Sequence, residues 1–229
     1  MARDRAADRA SGEGDPGPGG IRRDQIWPRR HGASPSVRVR LLAMRIIAGE
    51  FRGRRLAAPK GLGTRPMLDR VREAIFSTLT PWFGDPVVLD LFAGSGSLGL
   101  EALSRGARRV RFVERDPRAG RTLVSNLETL SATERAELWA GDALSAEAFR
   151  GGPYDVTFLD PPFPLVRTQS GRTQVHAAIA TLQEEAMASD GVCVLHVPLG
   201  QLRERDFGPG MACREATYGG QSVWFVQRD

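Results

Sequence analysis

Apolar and polar residues alternate in blocks along most of this chain, from Met44 onward. An apolar run at 87–92, VVLDLF, is followed by a helical pattern at 97–105, and the pair recurs as RVRFVE at 109–114 and a helical pattern at 117–130. Continuous apolar runs of this length are typical of strands buried on both faces. Their alternation with helices predicts an α/β fold with a mostly parallel sheet and helices on both sides.

The same alternation continues toward the end of the chain. It predicts further strands at AELWA (136–140), YDVTFLD (154–160) and VCVLHV (192–197), with a short helix near 144–150 and a longer one near 172–188. Residues 211–227 form two strand-like runs about a Gly-Gly pair. This last pattern predicts an antiparallel C-terminal hairpin.

A different pattern precedes the first buried strand. Two short apolar runs flank FRGRR at 51–55, which predicts a small β-hairpin with its arginines on one face. An apolar stripe then predicts a helix over 67–82. Its members are Leu68, Val71, Ile75, Leu79 and Trp82. The chain therefore divides into a hairpin-and-helix unit at 44–83 and a sheet domain at 84–229.

Charge is concentrated near the beginning of the chain. Residues 1–43 hold nine arginines and five acidic residues, are rich in Ala, Gly and Pro, and show no apolar period. We interpret them as a disordered extension, and Met44 is a candidate for the true start. Residues 44–72 carry eight basic and only two acidic residues. A segment with this balance favours a phosphate-rich partner, although a solvated surface gives the same pattern.

Other residue types exclude several classes of protein. Cys193 and Cys213 lie in apolar surroundings without a CxxC pattern, so we expect reduced, packed thiols. The histidines, His31, His176 and His196, are scattered, and we predict neither a metal site nor a catalytic histidine. No apolar run is long enough for a membrane span. We therefore expect a cytoplasmic protein.

A glycine-rich turn follows the first strand of the sheet domain. Gly94, Gly96 and Gly99 form GxGxxG between a strand and a helix, a pattern that lets a nucleotide-like ligand approach the backbone. Glu114 ends the next strand, where a carboxylate can accept both ribose hydroxyls. A dinucleotide fits these residues, but Asp90 at the strand tip would repel a pyrophosphate and could hold the ammonium group of S-adenosylmethionine. Asp142 could accept from an adenine amine, or could cap a helix.

The fourth strand of the domain ends in an acid and two prolines, DPPF at 160–163. An exocyclic base amine is a poor nucleophile because its lone pair is delocalised into the ring. Two acceptors that hold its N–H groups, the Asp160 carboxylate and the Pro161 carbonyl, would aim that lone pair at a methyl sulfonium. The prolines fix the turn in advance, and Phe163 could stack on the base. The pattern thus favours methylation of a base amine over a simple strand stop.

Four segments together resemble the RsmD family of enzymes that methylate N2 of a guanine in 16S ribosomal RNA. They are RIIAGEFRGRRL, TRPMLDRVREAIFSTL, DLFAGSGSLGLEALSRGA and FLDPPF, and the resemblance covers roughly residues 44–229. It implies a Rossmann-like class I methyltransferase fold preceded by a small N-terminal β-hairpin and helix. It also implies S-adenosylmethionine as cofactor, 16S rRNA in the small ribosomal subunit as partner, and a monomer.

The resemblance also assigns residues by position in this chain. Cofactor-binding residues are expected to be Asp90, Phe92, Ala93, Gly94, Ser95, Gly96, Glu114, Arg115, Asp142 and Ala143. The catalytic motif is Asp160, Pro161, Pro162 and Phe163. RNA-binding residues are expected to be Arg45, Arg52, Arg54, Arg55, Arg65 and Arg70.

One departure from the family pattern is visible. Met67 and Leu68 stand where the family usually has two threonines, so a hydroxyl contact is in doubt there. Arg65, Asp69 and Arg70 remain, and we expect them to face the cofactor or substrate.

Residues 164–173, with Arg167 and Arg172, form either a loop that closes over RNA or an ordinary mobile loop. A DNA adenine-N6 methyltransferase and a dinucleotide-binding oxidoreductase remain alternatives.

Overall fold

A seven-stranded sheet forms the centre of the computed structural model, which describes residues 44–58 and 67–229. The strands are β1 Met44–Arg45, β2 Arg55–Leu56, β3 Val87–Leu91, β4 Arg109–Val113, β5 Ala136–Trp139, β6 Tyr154–Leu159, β7 Met187–Pro198, β8 Met211–Tyr218 and β9 Gln221–Arg228. The α-helices are α1 Asp69–Thr78, α2 Ser97–Ser104, α3 Pro117–Leu130, α4 Phe163–Arg167 and α5 Gln169–Glu185. Single 3₁₀ turns lie at Thr80–Trp82, Thr133–Arg135, Ala146–Phe149 and Glu204–Phe207.

The sheet has the order β5-β4-β3-β6-β7-β9-β8. Strands β3 to β7 are parallel to one another, and β9 runs antiparallel to both β7 and β8. The predicted α/β fold with an antiparallel C-terminal hairpin is therefore confirmed. The chain moves outward from β3 to β5 and then returns to place β6 beside β3. The carboxyl ends of β3 and β6 consequently flank a switch in strand order, where open parallel sheets bind ligands.

Helices cover both faces of the sheet, as the continuous apolar runs predicted. All five residues of β3 are buried. Val88 belongs to a core shared with the hairpin and helices α1 to α3, whereas Leu89 and Leu91 belong to a second core with α4 and α5. Alternate residues of a strand point to opposite faces, so a strand covered on both sides is apolar on both, and Asp90 is the one polar residue of β3.

The predicted N-terminal hairpin is present, with Arg45 opposite Arg55 across β1 and β2. It is fastened to α2 through Glu101, a fully buried carboxylate. Its two oxygens accept the N–H groups of Ile47 at 2.8 Å and Ala48 at 3.0 Å. Glu101 also pairs with Arg105 at 2.8 Å, which balances part of its buried charge. The hairpin is thus bonded directly to the sheet domain.

Asn126 on α3 makes a second connection between the hairpin and the sheet domain. Its Oδ1 accepts the N–H of Ala57 at 2.8 Å, and its Nδ2 donates to the carbonyls of Ala57 and Ser95, both at 3.0 Å. The residue is only 2 % exposed, so these bonds satisfy an amide that would otherwise be costly to bury. Asn126 therefore joins the end of the hairpin to the glycine-rich turn.

Two helices have different boundaries from those predicted by the apolar spacing. Helix α1 ends at Thr78, and Leu68 is 41 % exposed while Met67 is buried, so Leu68 was wrongly placed in the apolar stripe. The long helix occupies Gln169–Glu185 rather than 172–188, since β7 already begins at Met187.

The predicted loop at 164–173 is wrong. Those residues lie in α4 and α5, which are separated only by Thr168. The Thr168 hydroxyl accepts the N–H of Gly171 at 3.0 Å and thereby caps α5. A segment built from two helices, with Val166 and Val175 in the second core, is an ordered part of the fold and not a free loop.

Some predictions lie outside the described residues, namely those on the extension 1–43 and on Arg65. Within the part of the chain that is described, no helix is long and apolar enough to cross a membrane. Cys193 and Cys213 are free thiols, as expected. Burial raises the pKa of Cys193 to about 12, which keeps that thiol protonated and unreactive.

Candidate active site

The glycine-rich turn leaves β3 in an unusual backbone conformation. Phe92, Gly94 and Gly96 all have positive φ, at 59°, 59° and 90°. This region disfavours side chains with a Cβ, so the two glycines suit the turn and Phe92 is a strained residue held by its surroundings. The N–H of Ala93 donates to the Val113 carbonyl at 3.0 Å and fixes the turn to the next strand.

Glu114, just beyond β4, holds this turn from the side. Its Oε2 accepts the N–H of Gly94 at 2.7 Å, and its Oε1 accepts the N–H of Asp116 at 2.7 Å. Each carboxylate oxygen has a second lone pair, so Glu114 can still accept hydroxyl groups. The sequence placed both residues at the cofactor site, and the structure bonds them to each other, while contact with a ribose stays a prediction.

Asp90 lies within β3, beneath the turn, and is 1 % exposed. Its Oδ2 accepts the N–H of Gly99 at 2.8 Å, at the start of α2. Burial raises the pKa of Asp90 to about 8, a shift that the Gly99 N–H opposes and the charges of Asp160 and Glu114 increase. Gly99 is required for close packing here, because a Cβ would lie 2.2 Å from the Phe112 ring.

The remaining predicted cofactor residues line the outer side of this region. Asp142 is exposed, and its Oδ1 accepts the N–H of Leu144 at 3.2 Å within a turn. The N-cap of the following 3₁₀ turn is Ser145, so the interpretation of Asp142 as a helix cap is wrong. Ala143 is buried beside it, and Arg115 is exposed. Sequence reasoning missed Asp116, whose carboxylate accepts N–H groups of Arg118 and Ala119 and caps α3.

Asp160 follows β6 directly, beside the tip of β3. Its N–H bonds to the Leu91 carbonyl at 3.4 Å, and its side chain remains 30 % exposed. Pro161 is buried, and the carbonyl of Pro162 accepts the N–H of Leu165. Among the described residues, no group donates to the Pro161 carbonyl. The DPPF segment therefore places the Asp160 carboxylate at the switch point, and Phe163 opens helix α4 beside it.

His196 is the functional candidate that the sequence did not reveal. It lies near the end of β7, is 4 % exposed, and its Nδ1 lies 2.8 Å from Oδ1 of Asp160. Its Nε2 lies 3.1 Å from Oε1 of Gln221, and its ring packs edge-on to Phe163 at 5.4 Å between centroids. The sequence singled out no histidine for a role, and the structure brings His196 into contact with a predicted catalytic residue. A lone histidine in an apolar strand gives no signal until the strand order is known.

The arginines predicted to bind RNA have different environments. Arg45 pairs with Asp69 at 3.2 Å, and Arg54 donates to the Thr129 carbonyl. Asp69 also pairs with Arg72 at 3.0 Å, so its carboxylate faces arginines. Two others, Arg52 and Arg55, are exposed, and no acidic side chain of the described residues pairs with them. An open cavity of about 530 Å³ is lined by Arg45, Gly53, Arg55 and Asp69.

Arg70 is a basic residue close to the turn between β8 and β9. It is exposed on the first turn of α1, and a Cβ added to Gly219 would lie 4.0 Å from its Nη2. Gly219 belongs to the turn between β8 and β9, and Gln221 follows two residues later. Arg70 therefore lies beside the β8–β9 turn, next to which Gln221 contacts His196. Across the described ranges, no group of acidic, histidine or cysteine residues could hold a metal ion.

The strand order, the glycine-rich turn and the acidic strand tips define a class I methyltransferase fold. A family described as "Conserved hypothetical protein 95" matches residues 44–227. The chain belongs to this family, and the expected membership of the RsmD family is confirmed.

Individual relatives agree with this assignment. YlbH of Bacillus subtilis (strain 168), provisionally named an rRNA methyltransferase, is 40 % identical over 181 residues, which cover 77 % of this chain and 94 % of YlbH. Ribosomal RNA small subunit methyltransferase D of Escherichia coli (strain K12) is 47 % identical over 120 residues, 52 % of this chain and 60 % of that protein. That alignment spans less than two thirds of the relative.

A solved structure has the same architecture. The yhhF protein of Escherichia coli, provisionally named a methyltransferase, superposes with a TM-score of 0.70 and 34 % sequence identity. The match covers 82 % of this chain and 98 % of the other.

Proposed function

We propose that this protein transfers a methyl group from S-adenosylmethionine to the exocyclic N2 of a guanine in small-subunit (16S) ribosomal RNA. The observation that carries the proposal is the position of Asp160. Asp160 follows β6 directly, at the switch point that it shares with Asp90 and the glycine-rich turn, and no group of the described residues donates to the carbonyl of the next residue, Pro161. Substrate acceptors and cofactor residues are therefore adjacent. The family relatives named as rRNA methyltransferases support the same reaction.

The residues around the turn fit S-adenosylmethionine, which carries a positive sulfonium and an ammonium group. Asp90, Glu114 and Asp160 lie close enough for the charges of the last two to raise the pKa of the first. Such a group of carboxylates attracts a cation and repels a pyrophosphate. Asp90 would take the ammonium group and Glu114 the ribose hydroxyls, while Asp142 would accept from the adenine amine. When bound, the cofactor supplies an electrophilic methyl group.

Asp160 and Pro161 act on the nucleophile. The Asp160 carboxylate and the Pro161 carbonyl accept the two N–H groups of the guanine amine, so that its lone pair points at the methyl carbon. The N–C bond would form as the S–C bond breaks, S-adenosylhomocysteine would leave, and the proton of the amine would pass to the Asp160 carboxylate or to water. Because proline has no N–H and a fixed φ, this turn is held in place before the substrate arrives. Phe163 provides an apolar ring against which the base can stack.

The basic hairpin supplies the surface for the RNA backbone. Arg52, Arg55 and Arg70 are exposed, and none of them pairs with an acid in the described part of the chain. Arginine binds phosphate through several donors at once, so these residues fix the RNA without reading its sequence. Arg45 and Arg54 stand on the same hairpin, and Arg65 is added to the RNA-binding set from the sequence alone. The protein acts as a cytoplasmic monomer on an assembled or assembling small subunit.

A transfer assay tests the proposal. Labelled methyl from S-adenosylmethionine is offered to small ribosomal subunits that lack the modification, to naked 16S rRNA and to duplex DNA, and the product nucleoside is mapped. The expected product is N2-methylguanosine at a single site. Label on adenine or on DNA would overturn the guanine assignment and favour the adenine-N6 alternative. Saturable NAD binding without S-adenosylmethionine binding would favour the oxidoreductase alternative instead.

A further inference from the structure

The carboxylate of Asp160 cannot be held by its own turn. An aspartate at the end of a strand is usually fixed by the N–H groups of the next two residues. Here those residues are Pro161 and Pro162, which have no N–H to donate. Pro164 removes another donor from the same segment. The side chain that must aim at the substrate amine therefore needs support from elsewhere in the fold.

His196 is in the position to give that support. Its Nδ1 lies 2.8 Å from Oδ1 of Asp160, which leaves Oδ2 of the carboxylate unbonded within the described residues. The two residues come from the neighbouring parallel strands β6 and β7, so the sheet register fixes their separation. Asp160 is 30 % exposed at its side chain while His196 is only 6 % exposed, so the histidine lies behind the carboxylate, on the protein side.

The imidazole itself is fixed on its other sides. Its Nε2 lies 3.1 Å from Oε1 of Gln221, the first residue of β9, and the Phe163 ring packs against it. Burial lowers the pKa of His196, but the hydrogen bond and charge of Asp160 and the hydrogen bond to Gln221 outweigh it and raise the pKa above its ordinary value. An imidazolium donates at both nitrogens, which matches the two oxygen acceptors.

We propose that His196 is a positioning residue for methyl transfer, which holds Oδ1 of Asp160 so that Oδ2 faces the substrate amine. The inference rests on the proposed function, because it assigns a role within that reaction. His196 does not touch the reacting atoms. It acts through Asp160, and Gln221 fixes its ring in turn. Removing such support misplaces an acceptor without emptying the cofactor site, so turnover should fall while cofactor binding persists.

Two substitutions at this position separate positioning from packing. His196→Leu keeps an apolar side chain in the buried strand but removes the donor. His196→Asn places an amide N–H where Nδ1 stands and so restores a donor without a titrating ring. We expect His196→Leu to lower kcat by about 100-fold and His196→Asn to recover most of that loss. Affinity for S-adenosylhomocysteine and the thermal midpoint should change little in either variant.

A matched control comes from His176 on α5, which contacts Phe207 and takes no part in the site. His176→Asn should leave kcat unchanged. The proposal would be overturned if His196→Leu kept full activity. It would also be overturned if both His196 variants lost activity equally and in proportion to a loss of folded protein. A wild-type protein that transfers no methyl to any RNA would instead overturn the proposed function.

A spectroscopic measurement tests the contact between His196 and Asp160 without an activity assay. Nitrogen NMR of the imidazoles should show a proton on Nδ1 of His196 in the wild-type protein, and Asp160→Asn should shift that signal. An Nδ1 without a proton, or a signal indifferent to Asp160→Asn, would show that the histidine does not donate to this carboxylate. The result separates failure of the His196 inference from failure of the reaction assigned to the enzyme.

Discussion

Glu114 bonds directly to the backbone of Gly94, through a contact of 2.7 Å between Oε2 and the amide nitrogen. The same carboxylate accepts the Asp116 N–H from the start of α3. One side chain thus sets the distance between the glycine-rich turn and the following strand. A residue expected to bind a ribose also shapes the turn beside it.

Glu114→Gln should therefore weaken cofactor binding. The glutamine side chain has an NH₂ group in place of one carboxylate oxygen. That NH₂ group would face the N–H of Gly94 or of Asp116, which the oxygen had accepted. A hydrogen bond to a charged group contributes about 1.5–3 kcal/mol, so the dissociation constant for S-adenosylhomocysteine should rise by about 10- to 100-fold. Titration calorimetry measures it, with the exposed Glu134→Gln as the control. Unchanged affinity in Glu114→Gln would remove this residue from the cofactor site.

The raised pKa of Asp90 predicts that the affinity for the cofactor depends on pH. The folded, ligand-free protein holds a proton on Asp90 up to a pH of about 8, and a carboxylate that binds an ammonium group must first lose it. Affinity should then rise with pH by up to about tenfold per unit until that value is reached. Asp90→Asn keeps an oxygen for the Gly99 N–H and should flatten the profile. A wild-type profile that is already flat would contradict the assignment.

The Asp90 carboxyl also makes the free energy of unfolding fall as pH rises. The pKa of Asp90 is raised on folding from an ordinary value of about 4. Its contribution to the free energy of unfolding is therefore complete below about pH 4 and is lost as pH rises through about 8. Urea denaturation of the ligand-free protein over this range, compared with Asp90→Asn, should show a smaller decline in the variant.

Asp160→Ala should separate binding from chemistry. Removing one preorganised acceptor from the amine typically slows a reaction by about 10²- to 10³-fold, while the residues around Gly94 remain in place. Single-turnover transfer and S-adenosylhomocysteine affinity are measured on the same preparation. The exposed Asp190→Asn serves as the control for removing a negative charge. Equal losses of turnover and affinity would mean that Asp160 belongs to the cofactor site alone.

Arg55→Gln should change how binding of 16S rRNA depends on salt. Each arginine that neutralises a phosphate adds about 0.7 to 0.9 to the slope of log affinity against log salt concentration. The slope should fall by roughly that amount in the variant, with little change in the site that is methylated. Arg150→Gln is the matched control, since Arg150 is an exposed arginine that precedes β6 and lies outside the basic hairpin. Identical slopes in wild type and Arg55→Gln would place the RNA elsewhere.

Gly96→Ala tests the packing of the turn. Gly96 has a φ of 90°, and a Cβ there would lie 2.4 Å from Cδ1 of Leu123. Overpacking of this kind costs about 1–3 kcal/mol of stability, and the strained φ adds to the loss. Chemical denaturation measures the effect against Gly84→Ala, where an added Cβ meets nothing within 4 Å. Equal stability of the two variants would show that the turn adapts freely.

The sequence was informative wherever one local pattern determines the structure. Buried runs such as 87–91 are apolar because both faces are covered, and GxGxxG lies where a turn needs positive φ, so both could be predicted. His196 could not, because its partner Asp160 lies 36 residues away and meets it only through the strand order. The helix at 163–167 was missed because a short proline-rich segment has little helical pattern of its own.

The three hydrogen bonds of Asn126 have a consequence for how this enzyme can be rebuilt. They tie Ala57, at the end of the hairpin, to Ser95, within the turn expected to hold the cofactor. The hairpin is therefore not an interchangeable adaptor. A grafted hairpin whose backbone misses the position of Ala57 would remove two of the three bonds and leave only the one to the Ser95 carbonyl. Altering the choice of RNA in this scaffold therefore requires Asn126 and the backbone path at residue 57 to be kept together.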